Sequence, residues 1–202
     1  IISDCGKNYL SQIPKYDGFC CIPSHLNYEK IIEGFYNMYN EIPHQPIEES
    51  LNSDALKEKI KFSLNFMEHI FGEQLELGLD YIKILLEKPT QMLPILCLVS
   101  KERSTGKSTF IKWLKSIFGL SMTYIKGDSF NSQFNSDWVS MLIVAIEEVF
   151  FDKKEITERL KYLSTTDKDK KEAKGKDREE VEFFGKFILC SNNEDNFIQI
   201  DE

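Results

Sequence analysis

No apolar run in this sequence is long enough to cross a bilayer. Leu93–Val99, interrupted by Pro94, and Met141–Ile146 both fall far short of the roughly 20 residues a membrane helix requires. No basic-then-apolar leader opens the chain, and no initiator Met stands at residue 1, which predicts a fragment or a processed form. Cysteine is sparse and odd in number: Cys5, Cys20, Cys21, Cys97 and Cys190 have no framework spacing. That excludes a disulfide scaffold and predicts free thiols in a reducing, cytoplasmic compartment. Cys5, Cys20, Cys21 and His25 lack a C-x₂-C pair, so a zinc site is disfavoured. Arginine is limited to Arg103, Arg159 and Arg178, and no internal repeat is present. Positive charge is in deficit, at 25 Lys and Arg against 33 Asp and Glu, a formal net of −8. This excludes a uniformly basic surface but leaves room for a local basic patch.

What is present is ordinary globular material: 202 residues, 42% apolar and 29% charged, enough for one large domain or a core with an appendage. Residues 1–49 read as an irregular segment with one helix, where Ile31, Ile32, Phe35, Tyr36 and Tyr39 fall at three- and four-residue spacings before Pro43 and Pro46. Residues 50–90 read as a helical unit. One helix starts near Ser53 or Asp54 and stops at Gly72, and another runs from about Gln74 to Glu87, ahead of Pro89. From residue 91 to 202 short apolar runs alternate with helical patterns: Leu93–Val99, a helix over Lys107–Phe118, strands at Met122–Ile125 and Met141–Ile146, a helix over Ile156–Leu163, and a last run at Phe183–Cys190. This alternation predicts a parallel sheet with flanking helices.

The segment Leu93–Thr109 carries the strongest chemistry. A buried strand leads into a loop, and the loop opens a helix at Gly106-Lys107-Ser108-Thr109, the strand–loop–helix context of a phosphate-binding loop. Backbone amides of Ser104, Thr105, Gly106, Lys107, Ser108 and Thr109 at a helix N-terminus suit phosphate oxygens. Gly106 lets the backbone approach, Lys107 reaches the β- and γ-phosphates, and the Ser108 hydroxyl is a Mg²⁺ ligand. The pattern G-x-x-x-x-G-K-[ST] has Lys101 in place of its first glycine, so the loop must begin differently. The bland reading is a chance Gly-Lys-Ser-Thr at a surface helix start.

Met141–Glu148 is an apolar strand ending in two carboxylates. Ligands of open α/β sheets bind at the carboxyl ends of strands, so Glu147 is the candidate to hold Mg²⁺ and Glu148 to orient or deprotonate the attacking water. Lys186–Asn193 is another strand, ending in amides, and Asn192 can donate to a γ-phosphate oxygen or hold the lytic water. Between these strands, Lys168–Arg178 holds six basic residues against three acids, a local charge of +3, with Gly175 able to turn the chain. Lys170, Lys171, Lys174 and Lys176 are its candidate contacts to single-stranded DNA phosphates. The bland alternatives are an acidic loop, a strand-ending turn and a solvated charged loop.

In this order, Gly106-Lys107-Ser108, Glu147-Glu148, the basic segment and Asn192 resemble the Walker A, Walker B, B′ and C motifs of superfamily 3 helicases, the ATPases of small DNA viruses, phages and plasmids. Leu79–Ile82, Lys88–Pro94 and Val99–Phe110 are similar to the helicase part of phage and mobile-element primase-helicases, and Gly34–Asn40 resembles the short aromatic element that precedes it. The resemblance implies a P-loop NTPase (RecA/AAA+-like) parallel sheet with flanking helices, preceded by a small helical region that helps rings assemble. It implies ATP and Mg²⁺ as cofactors, a homo-oligomeric, usually hexameric ring with ATP between subunits, and basic-loop lysines that grip one DNA strand and pull it in the 3′-to-5′ direction. It also implies work in the cytoplasm of a bacterial host, away from membranes. The family's arginine finger usually lies beyond the position of Glu202, which predicts nucleotide binding with poor hydrolysis by this chain alone. The alternatives are a non-helicase AAA+ replication initiator or loader, and a catalytically inactive DNA-binding or assembly module.

Overall fold

The computed structural model describes residues 12–44, 54–147, 154–175 and 177–194. Four strands, β4 (Leu96–Val99), β5 (Met122–Lys126), β6 (Ile143–Glu147) and β9 (Lys186–Ser191), form one sheet in the order β4-β9-β6-β5. Every pairing is parallel. Parallel strands need crossovers, and the helical patterns supply them. α3 (Lys107–Phe118) joins β4 to β5, the short α4 (Gly127–Asn131) lies between β5 and β6, and α5 (Lys154–Thr165) follows β6. The fold is therefore mixed α/β with helices flanking a parallel sheet.

The central strands β6 and β9 are buried on both faces, which explains why they read as continuous apolar runs, whereas the edge strands are partly open: Cys97 of β4, on a run expected to be buried, and Tyr124 of β5 are exposed. Alternate residues serve two cores. Ile143, Ala145, Ile188 and Cys190 pack with Phe110, Ile111, Leu114 and Phe118 of α3 and with Met67, Tyr81 and Leu85 from the helical unit. Val144, Ile146, Phe187 and Leu189 face the other way, against Phe130, Trp138, Leu160 and Leu163. Each such burial contributes about 1.5–3 kcal/mol, so neither face can be solvated cheaply.

The helical unit is α1 (Asp54–Phe71) and α2 (Leu75–Glu87), joined by a 3₁₀ turn at Gly72–Gln74, close to the sequence expectation. Buried Lys186, at the start of β9, donates to the carbonyls of Phe184 (2.6 Å) and Pro89 and so ties the exit of α2 to the sheet. Burial pushes its ammonium pKa down to about 8.

The helix expected over Tyr28–Tyr39 is instead a hairpin. β2 (Ile31–Ile32) and β3 (Phe35–Asn37) pair antiparallel, and β1 (Gly18–Cys20) adds to β3 in parallel. Glu33 (φ 48°) and Gly34 (φ 87°) both adopt positive φ, as a two-residue type I′ hairpin turn requires. The spacing was ambiguous because Ile31 and Ile32 meet Tyr36 and Phe35 across a hairpin, as well as matching a helix face. Asn37, fully buried, accepts from the backbone N–H of Ile22 and Tyr39 and donates to the carbonyls of Ile22 and Glu29. The N-terminal region is thus a small sheet with a polar staple.

The charged segment before β9 forms a two-stranded ribbon, β7 (Lys168–Lys171) with β8 (Glu179–Glu182). Gly175 sits in its turn at φ 74°.

Candidate functional site

The loop after β4 is shaped by two residues in the left-handed region, Ser104 (φ 60°) and Gly106 (φ 94°). Gly106 is the N-cap of α3 and has no side chain to cover the first-turn amides. A Cβ there would also stand 3.0 Å from Ile70 Cδ1, because α1 packs directly behind the loop. From the same helix, His69 Nε2–H donates to the Thr105 carbonyl at 3.1 Å. Ser104, Ser108 and Thr109 are exposed, and Thr105, Gly106 and Lys107 are half-buried.

Lys107 folds back over the loop. Its Nζ donates to Ser100 Oγ at 2.6 Å and Thr105 Oγ1 at 3.2 Å, with the carbonyls of Ser100 and Glu102 at 3.5 Å. All four partners are neutral oxygens, and among the described residues Lys107 makes no ion pair. The loop therefore carries a positive charge ready for an anion.

Start of the loop and end of β9 are laced together. Ser100 N–H donates to the Ser191 carbonyl (3.2 Å), and Lys101 N–H donates to Glu194 Oε1 (2.9 Å). Buried Ser191 turns the chain after β9 by accepting the Asn193 N–H at 3.0 Å. Asn192, on that turn, is exposed.

Glu147 ends β6, half-buried, in register with Cys190 of β9 on one side and Lys126 of β5 on the other. Burial pushes the Cys190 thiol up to about 12, with the Glu147 charge raising it further and Lys107 opposing. Glu147 and Lys107 thus act on the same point of the sheet from opposite signs. The parallel order brings the Lys107 loop, the Asn192 turn and Glu147 to the carboxyl edge of three adjacent strands. Glu148 and Lys176 lie outside the described residues.

The ribbon carries its charge differently from what a count over residues 168–178 suggests. Lys168 lies opposite Glu182, Lys170 opposite Glu180 and Lys171 opposite Glu179. Lys168 pairs with Glu180 at 3.0 Å, and Arg178 with Glu172 at 3.1 Å. Over residues 168–182 six basic residues meet six acids, 6 − 6 = 0. The stem is also docked rather than free. Buried Asn135 accepts the Glu172 N–H (2.7 Å) and donates to the Lys170 carbonyl (2.8 Å). Lys174 is exposed beside the turn.

Of the three arginines, Arg159 is half-buried and structural. It donates to the carbonyls of Phe130 (2.8 Å) and Ser132 (3.1 Å) and lies over the rings of Phe130 and Trp138. His25 packs between Tyr39 and Phe118. No group of three or more metal-ligating side chains occurs among the described residues. No helix among them is long and apolar enough to cross a membrane.

Sequence reasoning missed Ser100, His69 and Glu194. Only the lysine in place of the first loop glycine hinted that something else must hold the loop's start.

The fold has solved relatives. The apo C-terminal region of NrS-1 (its residues 305–718) superposes with a TM-score of 0.75 at 24% identity, covering all of this chain and 48% of that one. A second apo structure of the same region, its A form, gives a TM-score of 0.65 at 22% identity over 87% of this chain and 42% of that one. The chain spans about half the length of these relatives, and at this identity the likeness shows a shared fold. No curated protein matches the sequence. Residues 98–202, more than half of the chain and including the loop, Glu147 and Asn192, match DUF5906, and the chain belongs to this family of unknown function.

Proposed function

We propose that this chain is the nucleotide-hydrolysing part of a DNA replication protein, a P-loop ATPase of the superfamily 3 helicase kind that couples ATP hydrolysis to movement along single-stranded DNA. One observation carries the reading: a lysine whose partners among the described residues are all neutral oxygens, at a helix N-terminus without a side-chain cap, shares the carboxyl edge of a parallel sheet with a carboxylate and an amide-bearing turn.

The residues fit ATP with Mg²⁺. The amides of 104–109 offer donors to phosphate oxygens, and Lys107 can exchange Ser100 and Thr105 for the β- and γ-phosphates. The Ser108 hydroxyl and Glu147 carboxylate supply hard oxygens of the kind Mg²⁺ takes, and each leaves room for water. Bound there, the ion would draw off charge developing on the phosphates. Asn192 offers a neutral donor to the terminal phosphate, and Glu148 follows Glu147 as the residue to orient the attacking water. In this reading residues 50–90 serve ring assembly, the homo-oligomer carries ATP between subunits, and Lys170, Lys171, Lys174 and Lys176 face DNA.

A specific observation favours a second reading. The ribbon is neutral over 168–182 and docked by Asn135, which suits an ATPase that does not grip DNA there, such as an initiator or loader.

Calorimetric titration of ATP–Mg²⁺ into the parent and Lys107→Ala tests the site. Binding lost in the variant is the expected result, and equal binding by both would sink the phosphate-loop assignment. Stimulation of hydrolysis by single-stranded DNA, in a chain extended beyond residue 202, separates the two readings.

A further inference from the structure

We propose that Glu194 is a positioning residue that makes the phosphate loop respond to what touches Asn192. The inference rests on the ATP site proposed above and deepens it.

Where the usual loop pattern has its first glycine, this chain has Lys101, and the loop's start is held from outside. The last rung of the β4–β9 ladder is Ser100 N–H to the Ser191 carbonyl, at 3.2 Å. β9 ends at Ser191, so one residue further on no strand lies opposite the Lys101 amide. Glu194 fills that place: Oε1 accepts the Lys101 N–H at 2.9 Å, and Oε2 lies 3.7 Å from Lys101 Nζ. The ion pair is solvent-exposed and by itself holds little. The charge-assisted bond to the backbone amide is the stronger link.

Two consequences follow from the connectivity. Asn192 sits between Ser191 and Glu194, the two residues that hold the loop's start, and the Ser191 hydroxyl fixes the turn by accepting the Asn193 N–H. Lys107 rests on Ser100 Oγ and reaches the Glu102 carbonyl, so its perch is the stretch that Glu194 anchors. A pull on Asn192 by a terminal phosphate is therefore passed through Glu194 to Lys101 and on to the lysine that must meet the same phosphate. ADP, with no γ-phosphate, makes no such pull.

The test measures ATP–Mg²⁺ and ADP–Mg²⁺ affinity by calorimetry, with amide hydrogen exchange at Lys101, for the parent, Glu194→Ala and Glu194→Gln. Glu194→Ala should weaken ATP roughly tenfold, the scale of one charge-assisted hydrogen bond, and leave ADP within about twofold. Glu194→Gln, which keeps an acceptor, should restore most of the ATP affinity. Exchange at Lys101 should accelerate in the Ala variant and remain slow in Gln. An equal fall for both nucleotides, or no fall, overturns the coupling and leaves Glu194 a structural clip at most. A parent that binds neither nucleotide yet loses Lys101 protection in Glu194→Ala keeps the clasp, sinks the ATP site, and overturns the coupling with it. Unchanged Lys101 exchange in Glu194→Ala overturns the clasp itself.

Discussion

The carboxyl edge of the parallel sheet and the β7–β8 ribbon both hold lysines, and they hold them in opposite ways. At the sheet edge Lys107 rests on hydroxyls and carbonyls, with its charge uncompensated by an ion pair among the described residues. On the ribbon, Lys168, Lys170 and Lys171 each face a glutamate across the ladder. A lysine beside neutral oxygens keeps its attraction for an incoming anion, whereas one opposite a carboxylate has spent much of it. The number of lysines in a segment says little about anion binding until the opposing strand is known.

The contrast can be broken or sharpened by substitution. Lys107→Ala should weaken ATP–Mg²⁺ about 100-fold or more, while Lys170→Ala stays within about twofold of the parent. Equal losses, read by calorimetry, would erase the distinction. Asn135→Ala should destabilise the protein by about 1–3 kcal/mol in urea unfolding, because it leaves the Glu172 amide and Lys170 carbonyl of the ribbon unpaired. Combining Glu179→Gln, Glu180→Gln and Glu182→Gln unmasks the ribbon lysines. Its affinity for single-stranded oligonucleotide should rise about tenfold at low salt, with a steeper salt dependence in fluorescence anisotropy. No rise would favour the reading in which the ribbon does not meet DNA.

Gly106→Ala should cost about 1 kcal/mol or more in stability, since its φ of 94° disfavours any Cβ and Ile70 stands in the way. The remaining effect is a pH dependence. Burial holds His25 down at about 4, below its ordinary 6.5, so the unfolded chain takes up a proton on this ring before the folded one does. Stability from this group is complete above about pH 6.5 and is lost as pH falls toward 4. A melting temperature that declines over that window, and declines less in His25→Phe, is the expected outcome.

Much of the sheet was legible because its two central strands are buried on both faces. Ile143–Glu147 and Lys186–Ser191 stand out as apolar runs for that reason, and α3 begins at Lys107 as the Gly-Lys-Ser-Thr signal requires. The N-terminal hairpin was not legible, because its strands have two and three residues and their period is too short to separate from a helix face. Its turn, Glu33-Gly34, has glycine only at the second position, a weak signal beside Asn-Gly. The ribbon's turn at Gly175 was readable, but its neutrality was not, since charge pairing depends on register and the three compensating acids lie just past the basic run. Ser100 is the first residue of the loop after β4, but His69 and Glu194 reach that loop from two distant stretches of chain, and no local pattern marks such convergence.

The strand order has a further consequence during synthesis. Among the described residues β4, which feeds the loop ahead of α3, pairs only with β9, the last in chain order of the nine described strands. Until residues 186–191 have emerged, β4 and β6 are made but the gap between them is open, and the apolar rows meant for β9 face water. β9 must then enter between two waiting neighbours, a non-local pairing that makes assembly slow. A nascent chain stalled before that point would need protection from chaperones. Of the described strands, the one latest in the chain seals both hydrophobic layers and brings the amide turn beside the loop.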